Sequence, residues 1–231
     1  MTSSVRGITL ASASPRRLWL ARALALPIAL KPVEVNEGRL PGELPSDMVV
    51  RLSRAKALAA PFDRQHSLVL GSDTVVSFVD GGEVRVLGKP GDREDLAAML
   101  ASLAGRLHTV YTGYALRDAD NGGLVSGYEA VEVRLRHLSA REMEAYLASG
   151  IGDDKAGGYA LQDRQFRLVE QVRGCAAAAV GLPLRAVWQA LRAVGVTVPG
   201  RESLERACGE VTGMECCLGV NWAYAGLKTH G

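Results

Sequence analysis

Long apolar runs are missing from this sequence: no stretch comes near the roughly 18 consecutive apolar residues that a membrane-spanning helix needs, and no basic patch precedes an apolar leader at the N-terminus. Membrane spanning is excluded, and the expectation is a cytoplasmic protein. Aromatic residues are scarce, with three Phe and three Trp, and charge of either sign is nearly balanced, 27 Lys and Arg against 25 Asp and Glu for a formal net charge of +2. A nucleic-acid binder built on Arg6, Arg16, Arg17 and Arg22 is therefore disfavoured, because no basic stripe alternates with stacking residues. Any anion site must be local.

Cysteine pairs at metal-binding spacing are also absent. Of the four cysteines, Cys175 stands alone and Cys208, Cys216 and Cys217 fall near the end, none in C-x-x-C spacing and only His230 close to them. Neither a zinc site nor a disulfide framework is expected, and the favoured reading is free thiols in a reducing compartment. No internal repeat and no low-complexity segment interrupts the chain.

What remains is 231 residues, 48% of them apolar, with a mean hydropathy of +0.06, enough to bury one sizeable core or two small lobes. Strand and helix signals alternate. Ile8 to Ala11 reads as a buried strand, followed by Ser14-Pro15 as N-cap and first residue of a helix to about Leu26. Ser46 is placed to cap a helix to about Ala60. Asp92 opens a helix that carries Leu96, Met99, Leu100 and Leu103 and stops at Gly105. Strands are expected over Thr109 to Arg117 and Tyr128 to Arg136. A capping box, Ser139 to Glu142, opens a helix closed by Gly150, a further strand spans Phe166 to Val172, and Pro183 starts a last helix ended by Gly195. Beyond Pro199 no period is evident.

The segment Leu68 to Val76 carries the strongest chemical signal. It reads as a buried strand, yet Asp73 lies inside it, and a buried carboxylate is costly unless a metal, a cation or hydrogen-bond donors meet it. Around it stand candidate anion contacts. Arg16 and Arg17 occupy a first helical turn, where the macrodipole disfavours cations unless an anion is present; with Ser12 and Ser14 they would form a polyphosphate cradle. Lys56 lies on an amphipathic helix, where the ordinary reading is a solvated face. Lys89, in Gly88-Lys89-Pro90, lies on a turn, and Asp154-Lys155-Ala156-Gly157-Gly158-Tyr159 combines an acid, a base and two glycines that permit close backbone approach. His66, His108 and His137 lack a partnered motif and read as structural or exposed.

Taken together, several stretches resemble the Maf proteins, nucleoside triphosphate pyrophosphatases first associated with septum formation. They are Leu10 to Arg17 (LASASPRR), Gly71 to Val76 (GSDTVV), Gly88-Lys89-Pro90, Leu103 to Gly113 (LAGRLHTVYTG), Asp154 to Tyr159 (DKAGGY) and Gly181 to Leu184 (GLPL), in that order across about residues 8 to 195. The resemblance implies an elongated mixed α/β sheet with flanking helices and two lobes around a deep cleft, similar to inosine triphosphate pyrophosphatases. It implies one such domain over residues 1–198, with 199–231 a C-terminal tail of uncertain order.

The implied reaction converts a nucleoside triphosphate and water to the monophosphate and pyrophosphate with a divalent cation such as Mg, Mn or Co. By the same resemblance Asp73 is the general base or a metal ligand, Glu37 helps hold the metal, Lys56 and Lys89 contact phosphates, and Arg16, Thr74 and Gln162 bear on substrate choice. Lys89 and Gln162 resemble the branch acting on dTTP and UTP. Two departures stand out: Tyr159-Ala160-Leu161-Gln162-Asp163 replaces a glycine-rich Tyr-Gly-Ile-Gln-Gly, and Gly174-Cys175-Ala176-Ala177-Ala178-Ala179-Val180 is alanine-rich where polar residues are common, which would strip side-chain hydrogen bonds from one flank of the cleft. The rival reading is a nucleotide-sensing interaction protein that restrains division without turnover. A homodimer is compatible with the sequence.

Overall fold

The computed structural model describes residues 6–214 and 228–230. Its strands are β1 (Ile8–Leu10), β2 (Ile28–Leu30), β3 (Leu68–Asp80), β4 (Glu83–Leu87), β5 (Leu107–Asp118), β6 (Leu124–Leu135), β7 (Val169–Arg173) and β8 (Lys228–His230). Its helices are α1 (Pro15–Arg22), α2 (Pro45–Ala59), α3 (Arg93–Leu103), α4 (Ala140–Ser149), α5 (Ala176–Val180), α6 (Leu184–Ala193) and α7 (Arg201–Thr212), with a 3-10 turn at Ala156–Gly158.

One mixed sheet runs in the order β2-β1-β3-β5-β6-β7, with β4 and β8 added on β3 and β6. Only β1 pairs in parallel, with β2 and β3; the remaining pairs are antiparallel. The long strand β3 uses one edge twice. Leu68–Leu70 pair with β1 and Val76–Asp80 with β4, so among the described residues 71–75 have no strand neighbour on that edge. A notch opens there, beside the end of β1 where the chain leaves the sheet for α1. Crevices of this kind, where neighbouring strands part, are where α/β sheets take ligands.

Period-two alternation sends the two faces of β3 to different cores. Leu68, Leu70 and Val76 join the main core with α1, α3, α5 and α6 residues such as Leu20, Leu100, Ala177 and Leu191. Val75 turns to the other face and packs with Met48, Val49 and Leu52 of α2. Helix α2 lies tight on the sheet because a Cβ at Gly71 would meet the Ser53 carbonyl at 2.2 Å and one at Gly113 would meet the Val49 carbonyl at 2.2 Å.

Several local expectations hold. The Asp92 side chain accepts from the Asp95 N–H at the start of α3, and the Ser139–Glu142 capping box is complete at α4, which Gly150 ends with φ +68°. Others need correction. Helix α1 stops at Arg22: Ala25 takes a φ of +52°, and Leu26, the residue before Pro27, is disfavoured in the helical region. Helix α2 begins at Pro45 with Leu44 at the N-cap, so Ser46 lies inside its first turn; the ring of a proline at N1 presets φ without needing a side-chain cap. Strand β7 starts at Val169, after Arg167 with φ +51° breaks the extended run from Phe166. Beyond Pro199, where no period was legible, α7 forms with Leu204 and Cys208 buried.

Candidate active site

The notch in β3 opens into a cleft of about 670 Å³. All the candidate catalytic, substrate-binding and metal residues line it: Ser12 from the β1–α1 turn, Arg16 and Arg17 from the first turn of α1, Glu37 from the loop before α2, Lys56 from α2, Asp73 and Thr74 from β3, Lys89 from the turn after β4, and Asp154, Lys155 and Gln162 from the segment after α4. They lie up to 150 positions apart in the chain (Ser12 to Gln162). Only the fold unites them.

At its floor, the partner that makes Asp73 tolerable is a cation. The Nζ of Lys56 lies 2.5 Å from Asp73 Oδ1 and 2.6 Å from Glu37 Oε1, and Lys56 and Asp73 are each only 6% exposed. The ordinary reading of Lys56 as a solvated helix lysine is thus corrected: helical spacing located its face, but only the close approach of α2 at Gly71 and Gly113 brings its amine to β3. Burial pushes the Glu37 carboxyl up, yet the hydrogen bond and charge of Lys56, aided by Lys89 and Arg17, outweigh it and hold Glu37 below the usual carboxylate range.

The two arginines of α1 diverge. Arg17 turns inward, donating from Nε to the Gly181 carbonyl at 2.9 Å and from its Nη atoms to Ser12 Oγ at 3.3 Å and Thr74 Oγ1 at 3.2 Å. Burial lowers its guanidinium from the ordinary value while Asp73 opposes that. Arg16 instead reaches across to Asp154, with Nη1 at 2.9 Å from Oδ2. Asp154 also accepts from Lys155 Nζ at 2.5 Å. Burial raises the Asp154 carboxyl, but Lys155 and Arg16 win and hold it low. The segment that carries Asp154 and Lys155 is pinned to the turn bearing Lys89, since the Gly157 N–H donates to the Gly88 carbonyl at 2.9 Å.

Backbone atoms replace the side chains that the alanine-rich stretch lacks. Thr112 Oγ1 donates to the Ala178 carbonyl at 2.8 Å and lies 3.1 Å from Thr74 Oγ1, whose hydroxyl can donate to it, and the Gly181 carbonyl accepts from Ser72 Oγ at 3.0 Å as well as from Arg17. The stretch lacks side-chain hydrogen bonds as expected, but the Ala178 and Gly181 carbonyls supply acceptors on that flank. Sequence reasoning missed Thr112 and the Gly181 carbonyl; the motifs containing them were visible, the partners were not. His108 is buried under the cleft, its Nε2 2.8 Å from the hydroxyl of Tyr159.

Comparison with known proteins accords with this geometry. Residues 7–194 match the model of the family described as "Maf-like protein". The chain belongs to that family. The Maf-like chain is 42% identical over 194 residues to a dTTP/UTP pyrophosphatase of Moorella thermoacetica, covering 84% of this chain and 98% of that one. It is 40% identical over 195 residues to a dTTP/UTP pyrophosphatase of Geotalea uraniireducens, at 84% and 98% coverage. It is 38% identical over 194 residues to that of Desulforamulus reducens, at 84% and 100%. Among the described residues of this Maf-like protein no helix is long and apolar enough to cross a membrane.

Proposed function

We propose that this protein hydrolyses dTTP and UTP to the monophosphate and pyrophosphate, removing unwanted triphosphates from the nucleotide pool. The observation that carries the reading is the Lys56–Asp73–Glu37 cluster at the floor of a cation-lined cleft in a chain of this family. Lys56, Lys89, Arg17 and Lys155 bind the triphosphate tail, with Lys and Arg positive charge set where negative charge gathers on the leaving pyrophosphate. Ser12 and Thr74, both held by Arg17, orient it. Asp73 has one oxygen on Lys56, and the described residues give Oδ2 no hydrogen bond. That oxygen takes the proton of the attacking water; the water oxygen bonds to the α-phosphorus, and the α–β bridging bond breaks toward pyrophosphate.

A divalent cation, Mg, Mn or Co, fits the donor set. The Asp73 and Glu37 carboxylates already converge on a single cation, the Lys56 ammonium, and hard oxygen donors suit such ions. No three His, Cys, Asp or Glu side chains gather around one point among the described residues, so phosphate oxygens would complete the shell. Bound there, the ion supplies Lewis acidity and charge neutralisation at those oxygens.

Arg16, Thr74 and Gln162, which bear on substrate choice by resemblance to the family, all line the cleft, and this is compatible with a pyrimidine substrate. The test is pyrophosphate release from dTTP and UTP with Mg or Mn. Wild type is expected to turn over, and Asp73→Asn to lose most turnover while still binding nucleotide. Equal turnover in the variant would remove Asp73 from the chemistry, and silence of the wild type across a panel of triphosphates would favour a nucleotide sensor acting through protein partners.

A further inference from the structure

The stretch matched by the family model ends at residue 194, and relatives are matched along 98% to 100% of their own length by 84% of this chain. Helix α7, at Arg201–Thr212, lies beyond that stretch, yet it is built into the body. Leu204 is fully buried and Cys208 nearly so, and both belong to the main core. Trp188 Nε1 of α6 donates to the Pro199 carbonyl at 2.8 Å and sets the line on which α7 returns.

The last turn of α7 stands behind one cleft residue. Gln162 Nε2 donates to the Val211 carbonyl at 2.6 Å. A backbone carbonyl can only accept, so this contact fixes which way round the carboxamide sits. Its nitrogen is turned toward α7, and its Oε1, which has no hydrogen bond among the described residues, is the end left for a ligand in the cleft that Gln162 lines.

We propose that α7 is a specificity device: by holding Gln162 Nε2 on the Val211 carbonyl it fixes the carboxamide with Oε1, the acceptor, as its free end, matched to the imide N3–H of uracil and thymine and mismatched to cytosine, whose N3 is itself an acceptor. This rests on the pyrimidine triphosphate reading above. Released from α7, the carboxamide can turn over and offer Nε2 to cytosine, so discrimination falls without any change at Asp73 or Lys56. A site built around one fixed polar group rejects a ligand that leaves that group unpaired.

The experiment compares kcat/KM for UTP and CTP, and calorimetric affinities for UMP and CMP, in full-length wild type, Leu204→Asp, Gly213→Val, Gln162→Met and the Gly213→Val/Gln162→Met pair. Leu204→Asp puts a charge in the buried seam of α7. Gly213 is exposed at the helix end with φ +70°, a conformation a β-branched residue does not hold, so Gly213→Val frays the turn at Val211 without touching the core and carries the test whether or not Leu204→Asp folds. The expected result is a fall of about tenfold in the UTP:CTP ratio in each single variant, with no further fall in the pair. An unchanged ratio in Gly213→Val, or a second tenfold fall in the pair, overturns the proposal. Wild type that releases no pyrophosphate from any triphosphate overturns the activity reading alone, because the UMP and CMP affinities still decide the role of α7.

Discussion

Asp73 of β3 stands directly opposite Gly113 of β5 in the antiparallel ladder, and the missing side chain at Gly113 is what lets α2 lie close enough for Lys56 to reach Asp73. A Cβ at Gly113 would come 2.2 Å from the Val49 carbonyl oxygen and 2.5 Å from its carbon, both rigid backbone. Gly113→Ala is therefore expected to push α2 outward. Urea unfolding should register a loss of about 1 to 3 kcal/mol, typical of overpacking, and pyrophosphate release should fall with it because the Lys56–Asp73 contact lengthens. Unaltered stability and turnover would show that α2 has slack that the packing denies.

Lys56→Met leaves the Asp73 and Glu37 carboxylates facing each other with no cation between them. Removing one partner of a buried ion pair costs about 3 to 5 kcal/mol, so the melting temperature should drop sharply at pH 7. Mg or Mn should recover part of it by taking the vacated position, since binding to the folded state alone stabilises it by mass action. Thermal melts of the variant with and without each ion check this, and the absence of any ion effect would count against Glu37 and Asp73 as a metal-holding pair.

His108 gives the protein an acid limit. Its Nδ1 faces the Arg106 carbonyl and its Nε2 the Tyr159 hydroxyl, so the neutral ring donates from Nδ1 and accepts from Tyr159. Burial pushes its pKa down from 6.5 to about 4. A folded-state value below the unfolded one means the neutral ring stabilises the fold fully above pH 6.5, and that this is lost as pH falls from 6.5 toward 4. The gap corresponds to about 3 kcal/mol. Urea midpoints should fall across this window in wild type and stay flat in His108→Gln, until the lowered carboxyls Glu37 and Asp154 begin to protonate below their ordinary values near 4.5 and 3.8. A wild-type curve as flat as the variant's would mean the ring already carries a proton in the fold.

Much of the local structure was legible because its causes are local. The caps at Asp92 and Ser139 need only residues three positions away, and the helical spacing of Leu96, Met99, Leu100 and Leu103 needs only its own helix. Less was legible where distant atoms decide. Strand β4, short and mostly exposed, forms as the partner of the far half of β3, and α7 is held by the buried faces of Leu204 and Cys208 rather than by a strong period. Lys56 looked like a surface lysine for the same reason: its partners lie 17 and 19 positions away on a strand and a loop.

By itself the sequence determined that a carboxylate would sit in an apolar strand and which blocks this chain has in common with Maf proteins, since these are matters of residue type and order. Only the tertiary structure decided what neutralises Asp73, which arginine turns inward and what holds Gln162. Those outcomes depend on how closely α2 and α7 approach the sheet, and that distance is set by packing between segments far apart in the chain, where no local periodicity can carry the information.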